Sequence, residues 1–475
     1  MLDAVALCGA IKSRQLSCVE VMDAYLDHIE RLNPRVNAIV SLQDRADLLM
    51  QARARDAQLA RGEYLGPMHG FPHAVKDLEA TAGIRTTLGS PLFGDFIPQN
   101  DAIAVERLKR AGAIIIGKTN VPEFGLGSHT YNPVFGTTLN AYDQSKTAGG
   151  SSGGAAVGLA LRMLALADGS DYAGSLRNPA AFNNVFGFRP SFGRVPSDSQ
   201  NLFFPSMGVV GPMARNVGDL AMLLAIQSGY DARAPLSIRE DPAAVTSPLV
   251  RDFNGARVGW LADFGGLPFE RGILDLCVGA LEVFEQLGCE VEEARPDLPI
   301  ARVWNAFLKL RAFEVTSRYR QLYEDPTKRP QIKPEARWEI EQGLKLTTFD
   351  IADASAVRTE WYRSIGRLFE RYDYLIAPSA QVFPFDASIR WPAEVNGAAM
   401  QTYHEWMQVV ILVTMSGCPA LAAPVGFSDR GLPMGMQIVA PNHCELACLQ
   451  LAHAYDRATE WPRKRLPALL SSCAA

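Results

Sequence analysis

Residues Thr147–Pro179 read TAGGSSGGAAVGLALRMLALADGSDYAGSLRNP, and the fold turns on this stretch. Four of the six residues from Gly149 to Gly154 are glycine, and the other two are Ser151 and Ser152. Glycine loses more freedom on folding than any other residue, so such a cluster persists where the backbone needs unusual angles or a close approach. The apolar run Ala155–Leu161 behind it predicts a helix. A second loop of small residues, Gly169–Ser175, ends on another serine. Two serine-bearing glycine loops joined by a helix and a short strand can gather two hydroxyls and several backbone N–H groups around one carbonyl. The stretch reads as the core of a site for amide hydrolysis.

Outward from this core the chain alternates helix and strand. On the N-terminal side, Asp101–Ala111 predicts an amphipathic helix and Ala113–Ile116 a buried strand. Before them lies His69–Asp77, HGFPHAVKD, where Pro72 forbids a helix interior and a short strand delivers Lys76. Residues 3–62 read as helices, with Ser17 capping Cys18–Leu32, a strand at Val36–Ser41, and Asp44–Arg61 closed by Gly62. They form a wrapping layer or an oligomer surface such as that of a homodimer. On the C-terminal side the helix Val157–Met163 is followed by strands at Leu164–Ala167 and Phe186–Phe188. Further strands are expected at Arg257–Trp260, Cys289–Glu293, Tyr374–Ala377, Ala420–Pro424 and Met436–Val439. Helices are expected at Arg271–Leu287, Ile300–Tyr323, Ile351–Arg371, Tyr403–Met415 and Cys444–Thr459. The alternation predicts an α/β fold: one large domain with a central mixed, mainly parallel sheet covered by helices on both faces. No linker or repeat interrupts it.

Composition narrows the class. At 48% hydrophobic and 20% charged, the 475 residues are globular rather than disordered. A net charge of −5 gives no reason to expect nucleic acid or an anionic membrane as partner. The eight cysteines, Cys8, Cys18, Cys277, Cys289, Cys418, Cys444, Cys448 and Cys473, are scattered, which suits reduced thiols in the cytoplasm. The N-terminus lacks the basic start and long apolar region of a signal peptide, and no run of about 18 apolar residues predicts a membrane span.

Several motifs are decoys. Gly112–Thr119, GAIIIGKT, matches the phosphate-loop pattern, but Ala-Ile-Ile-Ile is a strand-forming run with a helix before it, the wrong context. GGSSG fits a nucleophile elbow, which would need a histidine; His404, His443 and His453 lie in predicted helices, where packing is the usual role. His69 and His73 are separated by Gly70 and Pro72, which break the helix a metal pair would need, and Cys444 and Cys448 beside His443 fit core packing. No metal or cofactor is expected. Ser151 and Ser175 remain, each needing a base. With few histidines nearby, the candidates are Lys76, Lys118 and Lys146, of which only a lysine made neutral by burial can serve. Spacing does not choose among them, and simple connecting turns would account for the glycines equally well.

The motifs HGFPHAVKD, GKTNVPEFGLGS, TAGGSSGGAAVG, GSDYAGSLRNPAAFNNVFGFRPSFGRV and GCPALAAPVGFSDRGLPMGMQIVAP resemble the amidase signature family over essentially the whole chain. The resemblance implies an amidase domain over 1–475: an N-terminal helical layer (1–62), a signature core (66–200) and a remainder carrying variable pocket segments (201–475). It implies a Ser–cis-Ser–Lys triad, with Ser175 as nucleophile, Ser151 as bridging serine, Lys76 as base and a cis peptide between Gly150 and Ser151. It further implies oxyanion donors from the N–H groups of Tyr172, Ala173, Gly174 and Ser175, a brace from Asp171 and Arg177, and a supporting hydrogen bond from Ser152. The substrate would be a small-molecule amide. A rival within the family is the glutaminase component of a tRNA-dependent amidotransferase, which feeds ammonia to an ATP-using partner; a Ser-His-Asp esterase is a rival outside it.

The chain departs from the family pattern in three places. Where the family commonly has Thr-Asp-Thr-Gly-Gly-Ser, Ser170–Ser175 reads SDYAGS. Ala173 is tolerable there only without a positive φ, and Tyr172 brings a ring that would shape the acyl or leaving-group pocket. His73 occupies a strand position that is usually apolar, and the sequence offers no account of it. Phe124, Tyr131, Tyr172, Phe203, Trp304 and Trp406 are candidates to line an apolar pocket for an aryl or alkyl amide.

Overall fold

The computed structural model describes residues 1–198, 201–204, 207–246 and 248–471; Cys473 lies outside them. The outer layer begins with α1 (Ala4–Lys12) and α2 (Cys18–Val36). Ser17 caps α2 as expected, in a full capping box: its Oγ accepts from Glu20 N–H and its own N–H donates to the Glu20 carboxylate. Val21, Tyr25, Ile29 and Leu32 of α2 are buried on one face. After β1 (Ile39–Val40) comes α3 (Arg45–Ala60).

The strand that carries Lys76 is β2 (Pro72–Lys76); α4 (Ile103–Arg110) and β3 (Ile114–Thr119) follow. The GAIIIGKT run thus ends in a strand, not a phosphate loop. These strands form a three-stranded sheet of their own, in the order β1-β3-β2, with β2 parallel to β3 and Lys76 opposite Thr119. Then α5 (Gly153–Ala160) leads to β4 (Ala167–Asp171), α6 (Arg177–Phe182), β5 (Phe186–Arg189), β6 (Val209–Ala214) and α7 (Val217–Gln227). The strand expected at Leu164–Ala167 therefore lies three residues later, and the first half of the loop expected at Gly169–Ser175 belongs to it. Its sequence, ADGSD, is a poor strand former; pairing of β4 with β6 overrides local preference. Helix α5 starts directly after Ser152. A Cβ on Gly154 would stand 2.4 Å from Asn120 N and 2.5 Å from Ala38 O, so only glycine lets the helix come this close to β3 and β1.

The C-terminal half adds β7 (Arg257–Trp260), α8 (Ile273–Gln286), β8 (Glu290–Glu293), α9 (Ile300–Glu324), α10 (Pro334–Gly343), α11 (Thr348–Phe369) and β9 (Tyr374–Pro378). A 3-10 turn at Glu405–Met407 then opens α12 (Gln408–Ser416), followed by β10 (Ala420–Phe427), β11 (Pro433–Val439) and α13 (Glu445–Thr459). The central sheet is mixed and eight-stranded, in the order β8-β7-β9-β11-β10-β5-β6-β4, with helices around it. The expected mainly parallel pairing is corrected: only β8–β7 and β7–β9 are parallel. The β9–β11, β11–β10, β10–β5, β5–β6 and β6–β4 ladders are antiparallel. The parallel pairs are the ones whose connections contain the long helices α8 to α11, as a crossover requires, whereas β10 and β11 form a hairpin. The main hydrophobic cluster runs from Ala4 to Leu469. Among the described residues no helix is long and apolar enough to cross a membrane.

Candidate active site

Three separate pieces of chain meet at the Lys76 side chain. Lys76 ends β2, with zero solvent exposure. Its Nζ lies 2.9 Å from Ser151 Oγ, 2.7 Å from Ser152 Oγ, 3.0 Å from Ser170 Oγ and 3.1 Å from Ser170 O. All four partners are neutral. An ammonium has three donors and no acceptor, but three of these neighbours are hydroxyls, which can give as well as receive a proton. Burial pushes the Lys76 pKa down from 10.5 to about 7, against the pull of Glu79, Asp171 and Asp168, which favour the charged form.

The first serine loop is fixed from below. The Gly150–Ser151 peptide is cis. Ser128 holds both ends of Gly150: its Oγ donates to Gly150 O at 2.7 Å and accepts from Gly150 N at 3.2 Å. The two serine loops are joined by a backbone hydrogen bond from Ser152 N–H to Ser175 O, 3.1 Å.

The second loop is built around the buried Asp171. Arg177 grips it with two hydrogen bonds of 3.0 Å, from Nε to Oδ2 and from Nη2 to Oδ1. Arg177 also donates to Val410 O and Thr414 Oγ1, tying the loop to α12. Arg189 donates to Asp171 O at 2.6 Å. Burial works to raise the Asp171 pKa, but Arg177 and Arg189 hold its carboxyl well below the usual range. Asp171 Oδ1 accepts from Gly174 N–H at 2.8 Å, and Oδ2 from Leu176 N–H at 3.1 Å. Gly174 N–H is thereby taken, which corrects the expected set of four open donors. Among the described residues, the N–H groups of Tyr172, Ala173 and Ser175 have no acceptor. Gly174 takes φ 98°, and a Cβ there would meet Val410 Cγ2 at 2.4 Å; Ala173 has no positive φ, which is how the chain tolerates its methyl.

A cavity of about 570 Å³ opens over Ser151, Ser170 and Ser175. Of the six aromatic candidates, Phe124 and Tyr172 line it. Phe203 is 79% exposed, Trp406 is fully buried with Nε1 donating to Tyr403 O, and Trp304 stacks on Phe307. Tyr131 belongs to a separate crevice with Lys333 and Arg390. The aromatic lining that the sequence did not mark comes from Phe192, Phe204, Phe313 and Tyr319. Arg311 sits 4.8 Å over the Tyr172 ring, itself anchored by Glu339 Oε1 at 2.7 Å and Tyr403 OH at 3.0 Å.

The rival bases fall elsewhere. Lys118 is buried, which pushes its pKa down to about 8, but its Nζ donates to Glu79 O at 2.6 Å and Thr81 Oγ1 at 2.8 Å, not to a site serine. Lys146 is half-buried, and its backbone pairs with that of Asp386 in an isolated antiparallel bridge. No histidine lines the cavity among the described residues. His404 is packed between Trp304, Phe307 and Tyr403, His443 is exposed, and His453 lies on α13. Sequence reasoning missed Ser170, Ser128 and Asp168, the last of which is the partner of His73. Ser170 opens the SDYAGS motif, and its place directly before Asp171 was the signal available. Nothing local connects His73 with Asp168.

Comparison with known proteins gives the class. The amidase family model matches residues 20–449. An acylamidase of Rhodococcus erythropolis is 32% identical over 467 residues, covering 98% of this chain and 97% of that protein. The A component of the glutamyl-tRNA(Gln) amidotransferase of Methylococcus capsulatus is 32% identical over 492 residues, covering 97% and 98%. The solved structure of a bacterial aryl acylamidase of the amidase signature family superposes with a TM-score of 0.91 at 29% identity, covering 98% of this chain and 99% of that one. The chain belongs to the amidase family. It is an enzyme of the class that hydrolyses carboxylic C–N amide bonds.

Proposed function

We propose that the protein hydrolyses a small-molecule carboxylic amide to the acid and ammonia or an amine, through an acyl-enzyme on Ser175. The observation that carries this is Lys76: an amine without contact to water, surrounded by hydroxyls and a carbonyl and by no carboxylate in contact. Neutral Lys76 accepts the proton of Ser151, which accepts that of Ser175. Ser175 Oγ attacks the amide carbonyl. The N–H groups of Tyr172, Ala173 and Ser175 receive the oxyanion, while Gly174 N–H anchors the loop to Asp171. The proton returns through Ser151 to the leaving nitrogen, and water then releases the acid. Asp171 and Arg177 brace the loop, and Ser152 holds Nζ in place. The aromatic lining of the cavity favours an amide with an aryl or alkyl group.

Purified protein assayed alone against primary, aryl and acyl amides tests this, with Lys76→Ala beside it. Turnover by wild type and none by the variant is the expected result; an active Lys76→Ala would favour a histidine-based esterase scheme. The similarity to an amidotransferase component supports a second reading, a glutaminase that works only within a complex. Hydrolysis of simple amides without partner or ATP excludes it.

A further inference from the structure

Behind Lys76 lies a buried pair that the triad does not use. His73 on β2 and Asp168 on β4 are 0% and 2% exposed, and His73 Nε2–H donates to Asp168 Oδ1 at 2.9 Å. The other carboxylate oxygen, Oδ2, accepts the backbone N–H of Lys76 at 3.1 Å. The two strands belong to different sheets: β2 is an edge of the small sheet, β4 an edge of the large one, and they pack against each other. The Asp168 carboxylate therefore spans the seam between sheets. Two residues further along β4, on the same face, Ser170 meets Lys76 Nζ with both Oγ and O.

We propose that His73 and Asp168 are a positioning pair, which fixes the register of the base-bearing strand against the serine-bearing strand and adds one negative charge near Lys76. This rests on the reading of Lys76 as the base. A carboxylate out of water needs its lone pairs filled; His73 fills one side so that the other is free to grip Lys76 main chain. A lysine in this setting feels the carboxylates of Asp168 and Asp171 from β4 and of Glu79 from the turn after β2, and Lys118 from β3 feels Asp168 and Glu79 as well. Removing the Asp168 charge takes away one of the three groups that favour the ammonium.

The test is the pH profile of kcat for amide hydrolysis in Asp168→Asn, with His73→Leu, His73→Gln and Lys76→Ala in parallel. In Asp168→Asn the acid limb is expected to move to lower pH, because one of the charges that favour the ammonium is gone. His73→Leu is expected to lose about tenfold or more in kcat with KM little changed, and His73→Gln, whose amide can still donate, to recover most of it. An acid limb that stays in place in Asp168→Asn overturns the proposal, whatever the loss in kcat, since a scaffold role alone does not move it. If Asp168→Asn does not fold, the His73 variants decide: equal activity of the leucine and glutamine variants, high or low, overturns it. Lys76→Ala separates the two levels, because an active variant removes the triad reading itself, whereas an inactive one leaves the pair to be judged alone.

Discussion

Replacing Lys76 with methionine keeps the apolar stem and removes the ionisable end. In the folded protein the amine has no solvent exposure and burial brings its pKa from 10.5 to about 7. In the unfolded chain it titrates near 10.4. Between these values the unfolded chain binds the extra proton, so each unit of rising pH favours the native state by about 1.4 kcal/mol. Below the native value both states are protonated, and the wild type carries the full penalty of about 5 kcal/mol. Methionine escapes it but strands the buried partners of Nζ, Ser170 O among them; a buried polar group without a partner costs about 1–3 kcal/mol. Lys76→Met should therefore be more stable than wild type by about 2–4 kcal/mol near pH 6, and that advantage should shrink by about 3 kcal/mol on going to about pH 9. Urea unfolding of the two proteins across this range measures the difference, and an amide assay on the same samples should show no turnover by the variant. If the difference in stability is the same at every pH, the folded amine is not depressed, and a neutral Lys76 cannot be the base.

Other substitutions separate the remaining parts. Arg177→Met removes the bidentate partner of buried Asp171, which should cost about 3–5 kcal/mol of unfolding free energy together with labelling of Ser175 by a fluorophosphonate; wild-type stability would mean that Arg189 alone holds the loop. Ser151→Ala should lower turnover by about 10²–10⁴, the usual worth of a positioned proton transfer, with the unfolding curve little changed. Tyr172→Thr should change the ratio of kcat/KM between aryl and small primary amides, because the ring lines the cavity beneath Arg311; an unchanged ratio means the ring does not shape the pocket. Gly154→Ala should destabilise by about 1–3 kcal/mol, the usual range for overpacking a close contact, measured by the same urea titration.

The parts of the fold that rest on local chemistry were readable. The Ser17 cap, the Lys76 strand and the strand–helix–strand run β7-α8-β8 follow from capping, proline and hydrophobic period. What was misread depended on partners. β4 is composed of Ala, Asp, Gly, Ser and Asp and forms a strand because β6 lies beside it. β6, α7 and α10 were not anticipated, and the antiparallel share of the sheet was underestimated, because alternation of helix and strand carries no information on strand direction.

The candidate site divides the same way. Ser151, Ser175, Asp171 and Arg177 sit in motifs dense with glycine and small residues, whose cost to folding announces them in the sequence, whereas Lys76 was marked by the family resemblance alone. The sequence by itself determined the amidase class and the residue types available for its chemistry. Only the tertiary structure decided that Lys76 Nζ lies against Ser151, that Gly174 N–H is turned to Asp171, and that His73 and Asp168, 95 residues apart, close the seam behind Lys76. Each of these depends on how two sheets and a loop lie against one another. That arrangement is set by burial summed over the whole core, which no short stretch of residues encodes.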